Sequence, residues 1–136
     1  MSTKRAAIER QKTIAYAEII EERGAFCECC ESAANDMSHN YPRAPFVWLI
    51  AEKNNITVLC RDCHNDFGNN QLWRLSEGWK ILRTMMVAML SEEDEHRRQL
   101  MRAHYMGKMF GMKRQAQHYG VPLQEWCVKL LEEVGE

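Results

Sequence analysis

Apolar residues recur at helical spacing in the first part of the chain. This spacing predicts a helix from Thr3 to Arg23, which Ser2 or Thr3 can cap. Gly24 follows the last turn, where a glycine commonly ends a helix. The apolar positions on one face of this segment are Ile8, Ala15 and Ile19.

Apolar spacing also predicts helices in the second half of the chain. Six residues repeat at intervals of three and four, namely Leu72, Leu75, Trp79, Leu82, Met86 and Met89. Gly78 lies within this stripe and weakens the helix slightly. The run Ser91–Glu95 predicts another helix start, with Ser91 as the cap and acids in the first turn.

The helix that begins after Ser91 extends to Tyr119 in this prediction, although Gly107 and Gly111 interrupt it, and Gly120 ends it. Pro122 then begins a final helix. Its inward-facing residues are Leu123, Trp126, Leu130 and Val134.

Residues 25–70 lack helical periodicity and are rich in Cys, Asn and Asp. Two short strands are predicted, Met37–Tyr41 and Ile56–Leu59, while the apolar span Phe46–Glu52 fits a third strand or a helical turn. The predicted fold class is α+β and mostly helical. It divides into an N-terminal helix (1–24), a central module (25–71) and a C-terminal helical region (72–136).

Composition and charge are those of an ordinary globular protein. Of the 136 residues, 46% are hydrophobic and 27% are charged, and the net charge of −1 predicts neither a strongly basic nucleic-acid binder nor an acidic tail. No apolar run approaches the length of a transmembrane helix, so no membrane partner is expected. The N-terminal residues carry charge at short intervals, unlike a secretion signal, so we expect a cytoplasmic protein.

Four of the six cysteines form two pairs with a two-residue gap, Cys27/Cys30 and Cys60/Cys63. Two such pairs suit tetrahedral zinc, because their thiolates reach one ion from two short turns. The alternative is that these are ordinary buried cysteines. Cys29 lies between ligand positions and is expected to point away, and Cys127 is expected in the core of the last helix.

His64 directly follows the second cysteine pair but is not expected to bind the zinc, because four cysteines already complete a tetrahedral shell. Its side chain should point about a quarter-turn away from the ion along a helix. It therefore needs another partner. His39 lies in a predicted strand and Asn55 precedes Cys60, so these residues follow the order His, Asn, His around the two cysteine pairs.

This order resembles the HNH, or ββα-metal, endonuclease family in its zinc-stapled branch. The stretch NITVLCRDCH (Asn55–His64) matches the pattern N-x-x-x-L-C-x-x-C-H. GAFCECC resembles the first cysteine pair of phage endonuclease VII, and SHNY with EKNNITVLCRDC is similar to phage recombination endonucleases of the Rap/NinG type. The resemblance covers residues 24–70 and not the helical second half.

The resemblance implies a small zinc-stapled, treble-clef-like ββα-metal module that hydrolyses DNA phosphodiester bonds, including those of recombination or branched intermediates. It implies that His39 is the general base, that Asn55 keeps His39 oriented, and that His64 binds a catalytic Mg²⁺ or Mn²⁺ in addition to the structural zinc. It also implies the cytoplasm of a bacterial or phage-infected cell.

One position departs from the family pattern. The residue before the first histidine often supplies a second metal ligand, and here it is Ser38, a poor ligand. The residues that could substitute are Asp36, Asn65 and Asp66.

The net charge conceals a basic segment, since no acid occurs between His96 and Gln124. Such a helix can follow a phosphate backbone, or it can be a solvated face balanced by the acids of Glu92–Glu95. The candidate nucleic-acid contacts are Arg97, Arg98, Arg102, Lys108, Lys113 and Arg114. The segment Ala116–Trp126 fits either a helix-turn-helix or, preferably, a plain corner between helices.

Three functions follow from these observations. The leading prediction is an HNH-type DNA endonuclease. The alternative is a catalytically inactive, zinc-containing DNA-binding regulator that uses the basic C-terminal helices. The third is a protein-interaction module whose Met-rich stripe (72–89) docks on a partner, and the C-terminal helices could also form a homodimer.

Overall fold

The computed structural model describes residues 3–122, 125, 128–129 and 132. The regular elements found there are mostly helical, as predicted, with one two-stranded antiparallel sheet. In chain order they are α1 (Thr3–Arg23), β1 (Asp36–His39), β2 (Ile56–Leu59), α2 (Arg61–Gly68), α3 (Gly78–Ser91) and α4 (Glu95–His118). The predicted inward residues of the last helix, Leu123, Trp126, Leu130 and Val134, lie outside the described residues, as does Cys127.

Helix α1 has the bounds predicted from the sequence. It ends at Gly24, whose φ of +83° is a conformation that favours glycine. Ala15 and Ile19 are buried and Ile8 is half-buried. Ile19 forms a small apolar cluster with residues of β2, so α1 packs on one side of the sheet.

The sheet brings the two histidine-bearing segments together. β1 and β2 pair in antiparallel register from Asp36 opposite Leu59 to His39 opposite Ile56. All four residues of β2 are buried, as expected for a strand covered on both faces. Helix α2 follows β2 directly, so the second cysteine pair lies where the strand ends and the helix begins.

The apolar span 46–52 forms a helical turn, not a third strand. A 3-10 turn covers Val47–Leu49, and a second covers Lys53–Asn55. Phe46 is buried, and its ring centroid lies 5.2 Å from that of Tyr41. This loop therefore has its own packed contacts beside β1.

Helices α3 and α4 form the main core together with the central module. One cluster of buried residues joins Leu59 and Phe67 to the methionines of both helices: Met85, Met86, Met89, Met101, Met109 and Met112. The methionines of the 72–89 stripe are thus covered by the chain itself. This corrects the idea that the stripe offers a docking face to a partner.

Helix α3 starts later than the apolar stripe suggested. Leu72–Arg74 is a separate 3-10 turn, and the helix begins at Gly78. A Cβ at Gly78 would lie 2.4 Å from the carbonyl oxygen of Leu72, so the glycine permits this close approach. Trp79, predicted to face inward, is 39% exposed.

The start and continuity of α4 also differ from the prediction. Ser91 is the last residue of α3, and the cap of α4 is Asp94, whose carboxylate accepts a 2.9 Å hydrogen bond from Arg97 N. Asp94 is the N-cap because it directly precedes the helix, whereas Ser91 is still in α3. Gly107 and Gly111 lie inside an uninterrupted helix. Within the described part of the chain, no helix is long and apolar enough to span a membrane.

Candidate metal centre and active site

Four cysteines converge at the start of α2. The sulfur atoms of Cys27, Cys30, Cys60 and Cys63 all lie within 4.8 Å of one another, and Cys30 and Cys60 are 3.6 Å apart. Tetrahedral zinc with bonds of about 2.3 Å sets its sulfur ligands roughly 3.8 Å apart. The cluster therefore fits structural zinc.

Backbone amides support both cysteine pairs. Cys30 N donates to the sulfur of Cys27 at 3.4 Å, and Cys63 N donates to that of Cys60 at 3.5 Å. The second contact also caps α2. Cys29 is buried but lies outside the four-sulfur cluster, as predicted.

The thiols are reduced, and one favours the thiolate form. All five cysteines within the described ranges are free of disulfides. Hydrogen bonding from Ser32, whose hydroxyl lies 3.0 Å from the Cys30 sulfur, lowers the pKa of Cys30 to about 6. Because zinc binds thiolates, the lowered pKa of Cys30 favours metal binding at that ligand, whereas burial raises the pKa of Cys63 in the same cluster.

His64 lies against Asp36, away from the four-sulfur cluster. Its Nδ1 is 3.2 Å from Asp36 Oδ2, and Arg61 Nε is 3.3 Å from the same oxygen. Octahedral Mg²⁺ with bonds of about 2.1 Å sets neighbouring ligand atoms roughly 3.0 Å apart. The Asp36–His64 pair thus has the separation and donor types of two adjacent ligands of a hard divalent ion.

Ser38 is buried, with 1% of its surface exposed. It follows Asp36 by two residues on the same strand, so the two side chains share a face of the sheet. Of the three proposed substitutes, Asp36 is the one that makes a hydrogen bond with His64 within the described residues. Asp66 instead pairs with Arg74 at 3.5 Å, and Asn65 is exposed.

The ring of His39 is oriented by one backbone carbonyl. His39 Nε2 lies 2.9 Å from Ile50 O. Because a carbonyl oxygen only accepts, this contact assigns the proton of neutral His39 to Nε2 and leaves Nδ1 with a free lone pair. That is the tautomer a general base requires.

Burial lowers the pKa of His39, and the nearby charges of Arg43, Lys12 and His64 act in the same direction. The hydrogen bond to Ile50 O opposes them without reversing the shift. His39 is therefore neutral at pH 7. His39 and Asp36 are the two ends of the four-residue strand β1.

Asn55 fastens the loop that supplies this carbonyl. Its amide nitrogen donates to Tyr41 O at 3.0 Å and to Leu49 O at 3.2 Å, and its Oδ1 accepts from Tyr41 N at 2.8 Å. Asn55 is 3% exposed. One buried side chain thus joins both ends of the loop and fixes the residue just before Ile50.

Several of the six basic residues proposed for nucleic acid make contacts within the chain. The guanidinium of Arg97 lies 4.8 Å from the Trp48 ring centroid. Arg98 pairs with Glu95 and donates to Glu92 O at 2.9 Å. These contacts engage the first turns of α4 with neighbouring residues.

Lys108 is the clearest exception to the proposed phosphate contacts. Its ammonium donates to Phe67 O at 2.9 Å and lies 4.2 Å from the Phe67 ring centroid. Burial lowers the pKa of Lys108 to about 8. The ammonium thus contacts the end of α2, and a phosphate contact by Lys108 stays a prediction. Arg102 and Arg114 are exposed, and Lys113 is half-buried.

The sequence prediction missed the basic residues beside His39. Tyr16 of α1 lies with its ring centroid 6.4 Å from that of His39, and Lys12 precedes Tyr16 by four residues on the same helix face. The four-residue spacing of Lys12 and Tyr16 already indicated that the two side chains share one face of the helix. Only the tertiary packing shows which face meets the histidine.

Comparison of this chain with protein-family models, with curated proteins and with solved structures finds no match.

Proposed function

We propose that this protein is a metal-dependent endonuclease of the HNH type that hydrolyses DNA phosphodiester bonds. The observation that carries the proposal is that an oriented, neutral His39 and an Asp36–His64 pair lie at the two ends of β1. Both belong to one ββα unit beside the four-cysteine cluster. A treble-clef-like, zinc-stapled module is the fold that this proposal implies.

His39 acts as the general base. Its Nδ1 takes a proton from a water molecule, and the resulting hydroxide attacks the phosphorus as the bond to the leaving sugar oxygen breaks. The Ile50 carbonyl stabilises the ring as it becomes positively charged, because Nε2 continues to donate to that oxygen. Asn55 positions this carbonyl through the loop, without touching the substrate.

Asp36 and His64 hold the catalytic ion, Mg²⁺ or Mn²⁺, in place of the ligand that Ser38 does not provide. When bound, such an ion would neutralise the negative charge that develops on the leaving oxygen. The zinc has a different role, since its four cysteines leave no open position for substrate. It fixes the start of α2 and thereby the direction of His64.

A cleavage assay tests the proposal. The substrates are linear duplex, nicked, single-stranded and four-way-junction DNA, each with Mg²⁺, with Mn²⁺ and without added divalent ion. Cleavage that requires a divalent ion and is lost in both Asp36→Ala and His64→Ala is the expected result. If the wild-type protein cuts none of these substrates with either ion, the endonuclease proposal is wrong.

The second candidate is a zinc-containing DNA-binding regulator without catalysis. The ion pair between Arg61 and Asp36 favours it, because a guanidinium on the same oxygen competes with a metal ion. Binding of DNA without cleavage under every condition above would support this function. A homodimer through the C-terminal helices remains a prediction of either function.

A further inference from the structure

Helix α1 has a strongly uneven charge. Residues 3–12 contain four cations and one carboxylate, a net charge of +3, and residues 13–23 contain one cation and three carboxylates, a net charge of −2. The cations of the first half are Lys4, Arg5, Arg10 and Lys12. The two halves therefore produce electrostatic potentials of opposite sign, positive around residues 3–12 and negative around residues 13–23.

The boundary of the basic half lies beside the candidate base. Tyr16 contacts the His39 ring, and Lys12 is one helical turn earlier, paired with Glu9 at 3.0 Å. Arg43 is exposed in the loop after β1, four residues beyond His39, and its charge helps to lower the pKa of His39. Positive charge thus approaches His39 from α1 and from the loop.

A further cation stands on the metal-ligand side of the site. Arg61, the first residue of α2, reaches Asp36 with Nε, while its side chain remains 74% exposed. Nε makes this contact, and the other N–H groups of the exposed guanidinium can donate to a second acceptor at the same time, with or without a bound ion. A phosphate oxygen next to the scissile group is an acceptor that matches it.

We infer that duplex DNA crosses the site along a rim whose exposed cations, Arg43 and Arg61, contact backbone phosphates on either side of the scissile one, while the half-buried Lys12 adds positive charge beside them. This inference rests on the proposed endonuclease function, which requires a phosphate to reach both His39 and Asp36–His64. Arg43 lies on the His39 side of the site and Arg61 on the Asp36–His64 side, so positive charge flanks a phosphate that reaches both.

The rim differs from α4 in where its exposed cations lie, because Arg43 follows β1 and Arg61 begins α2, the two elements that carry the histidines. Arg97, Arg98 and Lys108 are engaged with Trp48, Glu95 and Phe67, respectively. Phosphate contacts determine how a protein sits on the duplex and carry no base sequence. The rim would accordingly position the strand over the histidines without selecting a sequence.

Salt-dependent binding separates the two surfaces. We would measure the affinity of the full-length, zinc-loaded protein for a short duplex over a range of NaCl, without added Mg²⁺ or Mn²⁺. The rim variant is Arg43→Gln with Arg61→Gln. The matched control is Arg102→Gln with Arg114→Gln on α4, which removes the same charge from exposed positions.

The rim variant should lower the slope of log affinity against log salt by about 0.9 for each lost contact, roughly 1.8 in all. The α4 variant should retain the wild-type slope, and the conservative variant Arg43→Lys with Arg61→Lys should keep most of it. An equal fall in both glutamine variants, or a fall in the α4 variant alone, would overturn the inference. So would the absence of duplex binding by the wild-type protein at low salt.

This measurement does not depend on cleavage. A protein that binds through the rim but never cuts would refute the endonuclease and retain the rim as the DNA-binding surface. If the protein cuts DNA but the rim variant keeps the wild-type salt slope, the rim is refuted and the endonuclease function is retained.

Discussion

His39 and His64 are the same residue type in two different environments. Burial and neighbouring cations lower the pKa of His39, and Ile50 O fixes its tautomer. His64 instead has a carboxylate at 3.2 Å and is more open to solvent on α2. These environments suit the proposed roles, because a base must be neutral and oriented whereas a metal ligand needs an adjacent anionic donor.

Replacing His39 with alanine should reduce cleavage by ~10²- to 10⁴-fold, the usual contribution of a general base. Zinc content and the affinity for DNA should stay at the wild-type level, because His39 contacts neither the sulfur cluster nor the rim cations directly. Metal analysis, binding and single-turnover cleavage measure these three quantities. Loss of zinc in this variant would show that the histidine has a structural role.

The pH profile of the wild-type enzyme gives a second measure of the same residue. Neutral His39 is the active form, and a lowered pKa keeps the ring neutral down to a lower pH. The cleavage rate should therefore be flat at neutral pH and fall only below the ordinary histidine value of about 6.5. An acid limb above that value would contradict the environment described for His39.

At the scale of elements, the sequence predicted α1 and β2 with the observed bounds. Both have strong local signals: a helix that ends at Gly24, and a short apolar strand just before a cysteine pair. Local patterns did not predict the start of α3, because it depends on the contact of Gly78 with a backbone oxygen six residues earlier. They also could not select Asp36 from three candidate ligands, since only the β1–α2 packing determines which of them meets His64.

Two glycines should respond oppositely to substitution by alanine. Gly78→Ala would place its Cβ 2.4 Å from Leu72 O, a backbone atom that cannot move freely, so it should destabilise the protein by about 1–3 kcal/mol. Gly107 lies inside α4 with nothing within 4 Å of an added Cβ. Gly107→Ala should therefore stabilise the protein by about 0.5–1 kcal/mol, because alanine is the better helix former.

Chemical denaturation of the two variants beside the wild type measures both changes. If Gly78→Ala is as stable as the wild type, the close packing of α3 on the preceding turn is wrong. If Gly107→Ala is destabilised, α4 is not a continuous helix at that point.

At the scale of the whole molecule, the cysteine cluster and the C-terminal helices share one core. Cys27 and Cys29 belong to the same buried cluster as Leu82 and Met109. The residue order suggested separate segments, 25–71 and 72–136, because sequence spacing carries no information on which apolar faces meet. This shared core changes the expected consequence of losing zinc.

Zinc removal should unfold more than the central module. Structural zinc contributes on the order of 10 kcal/mol in small domains, which is comparable to the whole stability of a typical protein. Because the core runs from Cys27 to Met109, the helical circular dichroism of α3 and α4 should be lost in the same transition that releases zinc. The measurement is a chelator titration that follows helicity and released zinc together, with one ion per chain expected.

The neighbouring cysteines supply a matched pair for this experiment. Cys27→Ser removes a ligand and should abolish stoichiometric zinc binding, whereas Cys29→Ala removes a buried thiol outside the cluster and should keep one zinc. The alanine variant should lose only the packing of that side chain, so its unfolding remains a single, zinc-linked transition. If the helical signal survives after all the zinc has been released, the C-terminal helices are stable alone and the shared core does not couple them to the metal. If Cys29→Ala loses its zinc while Cys27→Ser keeps it, the assignment of the ligand within the CECC segment must be reversed.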